Sequence, residues 1–186
     1  MRIISGTSRG KKILLPKDKN TRPLRDLVKE SIFNFLDHSK KIKFKINKSN
    51  ILDLFSGSGS FGLECVSRGA KKVTFIENYT KGIEILKKNV ASLDVDEKIN
   101  IINNDCFNYV EKANEPDEKY DLIFLDPPFQ EKRINFLIDN ILEKKFLNKD
   151  GIIIIHRHKK DNDKISKNLN TFEIRKYGIS KIIFGK

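Results

Sequence analysis

The 186-residue sequence predicts an α/β fold: a mostly parallel sheet with helices on both faces, a basic extension before it and an antiparallel hairpin at its end. Three observations lead there. Short apolar runs alternate with helical stretches along most of the chain, the pattern of consecutive βαβ units. The run at Tyr120–Leu125 has no polar break across Leu122 to Leu125, as suits a strand buried on both faces. The last apolar segments, Phe172, Ile174 and Tyr177, then Ile179, Ile182 and Phe184, flank Gly178 as a terminal hairpin would.

In chain order, Met1–Ser5 and Lys12–Leu15 are expected to pair as a small hairpin around SGTSRGKK. A helix follows from near Pro23, a residue tolerated in a first turn because its missing N–H has no partner there. Leu24, Leu27, Val28, Ile32, Phe35 and Leu36 form its apolar stripe, expected to pack on the sheet. Residues 39–49 are a lysine-rich connector. Strands are predicted at Asn50–Phe55, Lys72–Glu77, Ile99–Asn103, Tyr120–Leu125 and Gly151–His156, and helices at Gly59–Arg68, Thr80–Leu93, Asp105–Ala113 and Glu131–Lys145. The second of these helices carries Ile83, Leu86, Val90 and Leu93 on one face. Two units result: a basic hairpin and helix over residues 1–48, packed on a core over residues 49–186.

A hydrophobic content of 38% and 13 phenylalanines suffice for that core. Apolar segments fall well short of the roughly 20 residues of a membrane span, and the first residues lack a signal-peptide core. The protein is therefore expected in the cytoplasm, with Cys65 and Cys106 as buried free thiols. Charge is uneven. Residues 1–50 hold 14 Lys/Arg against 4 acids, whereas residues 51–186 hold 23 against 21. A near-neutral body with a basic front suits a polyanion, because clustered cations gain affinity by releasing counterions from phosphates.

The segment NILDLFSGSGSFGLE runs strand, glycine turn, helix, and Gly57 to Gly62 satisfies G-x-G-x-x-G. Such glycines allow a tight turn and close approach to a ligand. Alone they would equally fit a nicotinamide dehydrogenase. Asp53 argues against that, because a carboxylate four positions before Gly57 would repel a pyrophosphate and attract a cation. S-adenosylmethionine has a positive sulfonium, a cationic amino-acid end and no phosphate. Glu77 would take its ribose hydroxyls and Asp105 its adenine amino group, all at strand ends facing one crevice. Capping of the following turns is the plainer role for Asp53 and Asp105.

The fourth strand ends abruptly in Asp126-Pro127-Pro128-Phe129. Two prolines stiffen the turn and remove two N–H donors, leaving a surface of acceptors. An exocyclic amine has two N–H groups to satisfy it, and Phe129 offers a face for a base to stack on. Catalysis would then be mostly positioning.

LDLFSGSGSFGLECVSRGA together with LDPPF resembles class I S-adenosylmethionine-dependent methyltransferases acting on exocyclic amines. With MRIISGTSRGKKILLP and RPLRDLVKESIFNFL, essentially the whole chain resembles the RsmD family of small-subunit ribosomal RNA guanine-N2 methyltransferases. The resemblance implies a seven-stranded Rossmann-like sheet and methylation of one guanine in 16S rRNA. It implies cofactor contacts from Asp53, Phe55, Gly57, Gly59, Glu77, Asp105 and Cys106, and amine binding by Asp126, Pro127, Pro128 and Phe129. Arg2, Arg9, Lys11, Lys12, Arg22 and Arg25 are the expected RNA contacts, on free rRNA or the assembling 30S particle, with a monomeric protein and no metal. Two departures stand out. Leu24 replaces a usual threonine after Arg22-Pro23, and His156-Arg157-His158 stands where the family usually has glutamates. That run reads as exposed loop, available for a phosphate contact. An adenine-N6 methyltransferase on DNA or RNA, or a non-catalytic rRNA-binding assembly factor, remain alternatives.

Overall fold

A computed structural model describes residues 1–18, 24–113, 116 and 118–186. Its centre is a seven-stranded sheet in the order β3-β2-β1-β4-β5-β7-β6. The strands are β1 (Asn50–Leu54), β2 (Lys72–Glu77), β3 (Ile99–Asn103), β4 (Tyr120–Leu125), β5 (Leu147–His158), β6 (Thr171–Tyr177) and β7 (Ser180–Gly185). β1 to β5 are parallel, and β7 enters antiparallel between β5 and β6. The chain builds outward from β1 through β2 to β3, then returns to place β4 on the other side of β1. That reversal opens a crevice at the carboxyl ends of β1 and β4, the usual ligand position in open α/β sheets.

Helices α1 (Asp26–His38), α2 (Ser60–Ser67) and α3 (Thr80–Leu93) belong to one face, and α4 (Cys106–Lys112) and α5 (Ile134–Glu143) to the other. The unbroken apolar runs follow from burial on both faces. Ile152 and Ile154 enter the first core, Ile153 and Ile155 the second. Phe61 of α2 stacks on Phe124 of β4 at 3.9 Å and on Phe33 of α1 at 5.1 Å, joining two helices and the sheet through one aromatic column.

Several boundaries differ from expectation for physical reasons. The front hairpin forms but is short: the Arg2–Lys12 antiparallel bridge is flanked by Ile3 N–H to the Lys11 carbonyl at 2.9 Å and Ile13 N–H to the Met1 carbonyl at 3.0 Å. The rest of its backbone docks on α2: Ile4 and Ser5 donate N–H to the Glu64 carboxylate, and Thr7 and Ser8 donate to the Ser67 carbonyl and hydroxyl. Gly6 permits this docking, since a Cβ there would stand 1.8 Å from the Ser67 carbonyl oxygen. Pro23 and Arg22 lie outside the described residues, and α1 begins at Asp26. Leu27 leaves the predicted stripe and is 67% exposed, while Lys29 is fully buried. The Lys29 ammonium donates to the Arg2 carbonyl at 2.8 Å and the Ser60 hydroxyl at 3.2 Å, with Glu64 at 3.7 Å. Burial lowers its pKa, against the pull of Glu64 and Asp26. β5 is longer than predicted at both ends, so Arg157 joins His156 within the strand, and both are buried rather than exposed.

Among the described residues, no helix is long and apolar enough to cross a membrane. Cys65 and Cys106 are free and buried.

Candidate active site

Three acids at the ends of β1, β2 and β3 each hold the turn that follows. Asp53 Oδ2 accepts from the Gly62 N–H in the first turn of α2 at 3.0 Å. Glu77 accepts from Gly57 N–H at 2.6 Å through one oxygen, and from Asn78 and Tyr79 N–H through the other. Asp105 caps α4 by accepting from Phe107 and Asn108 N–H. The capping role is therefore real for all three, and it fixes each acid at the carboxyl end of its strand.

The electrostatics favour a cation. Asp53 is 2% exposed, and its carboxyl pKa is raised well above the ordinary value. Burial is the main cause, opposed by the Gly62 N–H; the Asp126 and Glu77 charges push further upward. Asp53, Glu77 and Asp126 thus lie close enough to feel one another's charge, a negative cluster that suits a cation better than a pyrophosphate.

The glycine loop is held open by strained backbone. Phe55 takes φ 63° and its N–H reaches Cys106 Sγ at 3.3 Å. Gly57 and Gly59 take φ 54° and 77°, conformations that suit residues without a Cβ. A Cβ on Gly59 would stand 2.3 Å from Leu86 Cδ1, whereas one on Gly57 would meet nothing within 4 Å. Cys106 lies buried beneath this loop, its thiol pKa pushed up by burial, so it braces Phe55 from below.

At the end of β4, Asp126 N–H reaches the Leu54 carbonyl of β1 at 3.4 Å. Pro127 is buried, Pro128 exposed and Phe129 half-buried. The expected all-acceptor corner is narrower than its sequence suggests. The Pro128 carbonyl accepts from Glu131 N–H at 2.9 Å and from the Arg157 guanidinium at 3.4 Å; the Phe129 carbonyl accepts from Arg157 at 3.3 Å. Arg157 itself is anchored by Asp161. Arg157 and Glu131 thus occupy the Pro128 and Phe129 carbonyls that the sequence offered as open acceptors.

Sequence reasoning missed His156, Arg157 and Ser180. His156 Nδ1 lies 2.8 Å from Asp126 Oδ1, and its Nε2 lies 2.8 Å from the Ser180 hydroxyl. Its signal was period two: His156 continues the Ile152, Ile154 face of β5. Of the expected RNA contacts, Arg2, Arg9, Lys11, Lys12 and Arg25 are exposed, and Arg22 lies outside the described residues.

This strand order with an acid-lined glycine loop defines a methyltransferase of the Rossmann-like class I type. A solved Escherichia coli structure assigned as a methyltransferase matches with a TM-score of 0.84 and 26% identity, covering 100% of this chain and 96% of that one. The chain belongs to the family described as Conserved hypothetical protein 95, whose model matches residues 1–186. It is similar to the ribosomal RNA small subunit methyltransferase D of Haemophilus influenzae, 36% identical over 161 residues, 86% of this chain and 79% of that protein. The enzyme of that name from Escherichia coli K12 is 35% identical over 144 residues, 75% of this chain and 68% of that protein.

Proposed function

We propose that this protein transfers a methyl group from S-adenosylmethionine to the exocyclic N2 amine of a guanine in small-subunit ribosomal RNA. The observation that carries the reading is the convergence of Asp53, Glu77 and Asp126 beside a proline-stiffened turn at the mouth of β1 and β4. Relatives named for methylation of small-subunit rRNA support it.

When bound, S-adenosylmethionine supplies a methyl group on positive sulfur, which leaves as a neutral thioether while the methylated amine sheds one proton. The chain's own residues bind and orient. The field of Asp53 favours the cationic end, Glu77 the ribose hydroxyls and Asp105 the adenine amine. Gly57 and Gly59 let the backbone approach closely. Asp126 and the Pro127 carbonyl accept the two amine N–H groups and so aim the nitrogen lone pair out of the base plane. Phe129 offers the stacking face. Arg157 grips the carbonyls of Pro128 and Phe129, so the corner keeps its shape before substrate arrives and the entropy of orientation is already spent. Asp126 need not be a strong base, because the proton leaves a nitrogen that has become positive.

The exposed cations of the front ribbon would meet rRNA phosphates, on free rRNA or the assembling 30S particle. The ribbon docks close to the site: Asn89 of α3 bonds both Leu14 and the Ser58 carbonyl of the glycine loop.

The test is the Asp126→Ala protein with small-subunit rRNA, reading methyl transfer and cofactor affinity separately. Transfer is expected to disappear while S-adenosylmethionine binding stays near that of the parent protein; a variant methylating at the normal rate overturns the mechanism. Mass spectrometry of the modified nucleoside decides the amine, N2-methylguanosine supporting this reading and N6-methyladenosine replacing it.

A further inference from the structure

We propose that His156 is the positioning residue that sets the Asp126 carboxylate for the incoming amine; the inference rests on the reading of Asp126 as amine acceptor. His156 is 1% exposed on β5, one residue beyond the pair Leu125 and Ile155, so the sheet register itself brings it beside Asp126. Its two ring nitrogens have different partners: Nδ1 faces Asp126 Oδ1 and Nε2 faces the Ser180 hydroxyl of β7, each at 2.8 Å.

A carboxylate only accepts, so Nδ1 carries the hydrogen that bridges to Asp126. At Nε2 the Ser180 hydroxyl serves either form of the ring, donating to a lone pair or accepting from an N–H. A relay of hydrogen bonds thus runs from Ser180 through the ring to Asp126. Rotation of the carboxylate about Cβ–Cγ would break the Nδ1 bond, so the ring fixes the plane in which Asp126 receives an N–H.

The same ring also supports the stacking face. Phe129 meets the edge of His156 at 5.6 Å and 81°, and that of His158 at 5.0 Å and 71°. Arg157, pointing to the opposite side of β5, holds the Pro128 and Phe129 carbonyls. Consecutive residues of one strand therefore fix the carboxylate, the turn and the aromatic ring. The run His156-Arg157-His158 is in this way the scaffold of the proposed amine site.

Asparagine and glutamine divide the histidine's two contacts. An asparagine on this part of β5 is too short to reach Ser180 but places an N–H near the Nδ1 position; a glutamine amide extends toward the Nε2 position instead. The variants to compare are His156→Asn, His156→Gln, His156→Ala and Ser180→Ala, for rRNA methylation and for S-adenosylmethionine affinity by calorimetry. His156→Ala is expected to lower kcat on the order of 10²-fold, the usual cost of a misplaced catalytic group. Cofactor affinity should change less than about twofold, far below the tenfold that 1.4 kcal/mol represents. His156→Asn should recover much of kcat and His156→Gln should not. Equal losses in the Asn and Gln variants, or an unchanged kcat in His156→Ala, overturn the proposal.

Nitrogen-15 NMR of the histidine rings in the parent protein gives a readout that needs no substrate. A His156 ring protonated at Nδ1 supports the relay, and Ser180→Ala should alter its signals; a ring protonated at Nε2 alone overturns it. Parent protein that fails to methylate rRNA would sink the functional reading instead, and the ring signals would still judge the relay.

Discussion

Replacing Gly57 and Gly59 by alanine, one at a time, separates what the loop does for the fold from what it does for a ligand. Gly59 takes φ 77°, where a Cβ costs about 1–2 kcal/mol. That Cβ would also stand 2.3 Å from the Cδ1 of the fully buried Leu86. Pushing Leu86 off its rotamer adds about 0.5–1.5 kcal/mol. The two terms together give about 1.5–3.5 kcal/mol, which for a chain of this size lowers Tm by about 3–14 °C. Gly57 takes φ 54°, and a methyl group added there would meet nothing within 4 Å, so alanine costs only the backbone term, about 1–2 kcal/mol. The open space it enters is where the cofactor is proposed to lie. Thermal unfolding with and without S-adenosylmethionine, joined to calorimetric Kd values, reads both effects. Gly59→Ala should show the larger fall in Tm, and Gly57→Ala the larger loss of ligand-induced stabilisation. A Gly57→Ala protein that binds the cofactor as tightly as its parent refutes the placement of the ligand over this loop.

Three further outcomes are expected. The proton on Asp53 is held more tightly in the folded protein, so its contribution to stability is full at low pH and is lost as pH rises from the ordinary carboxylate range through the raised folded value. A cation favours the ionised form, so cofactor binding should tighten as pH rises through that window and release protons; calorimetry in buffers of different ionisation enthalpy checks this, and Asp53→Asn should abolish the buffer dependence. Glu64→Ala leaves Lys29 buried without its carboxylate and frees the Ile4 and Ser5 N–H groups, a loss of about 3–5 kcal/mol, visible as a lower Tm and as early hydrogen exchange in residues 1–15. Neutralising Arg9, Lys11 and Lys12 together should flatten the slope of log K for RNA against log salt by about 2–3, at roughly 0.7–0.9 per phosphate contact, with cofactor affinity unchanged.

The sheet and its helices were legible because burial on both faces writes unbroken apolar runs into the chain, and because the glycine loop and DPPF carry local conformational demands. The edges were less so. Leu27 obeys a three- and four-residue spacing, yet the docked front ribbon claims the opposite flank of α1, where its carbonyl at Arg2 and the acid at Glu64 favour Lys29 over an apolar side chain. The burial of His156 and Arg157 was hidden because polarity reads as exposure in a sequence, while their partners, Asp126, Ser180 and two carbonyls, are 24 to 30 positions away. No local pattern records that β5 and β7 meet.

The placement of β7 carries a consequence for how the protein is made. β7 follows β6 along the chain yet lies inside it, covering one side of β5. A growing chain that has reached only Tyr177 can form β1 to β5, but four consecutive isoleucines, Ile152 to Ile155, then border an open edge with unmatched backbone groups. Until Ser180 to Gly185 slot into that gap, the nascent sheet is sticky on its flank and prone to join another copy.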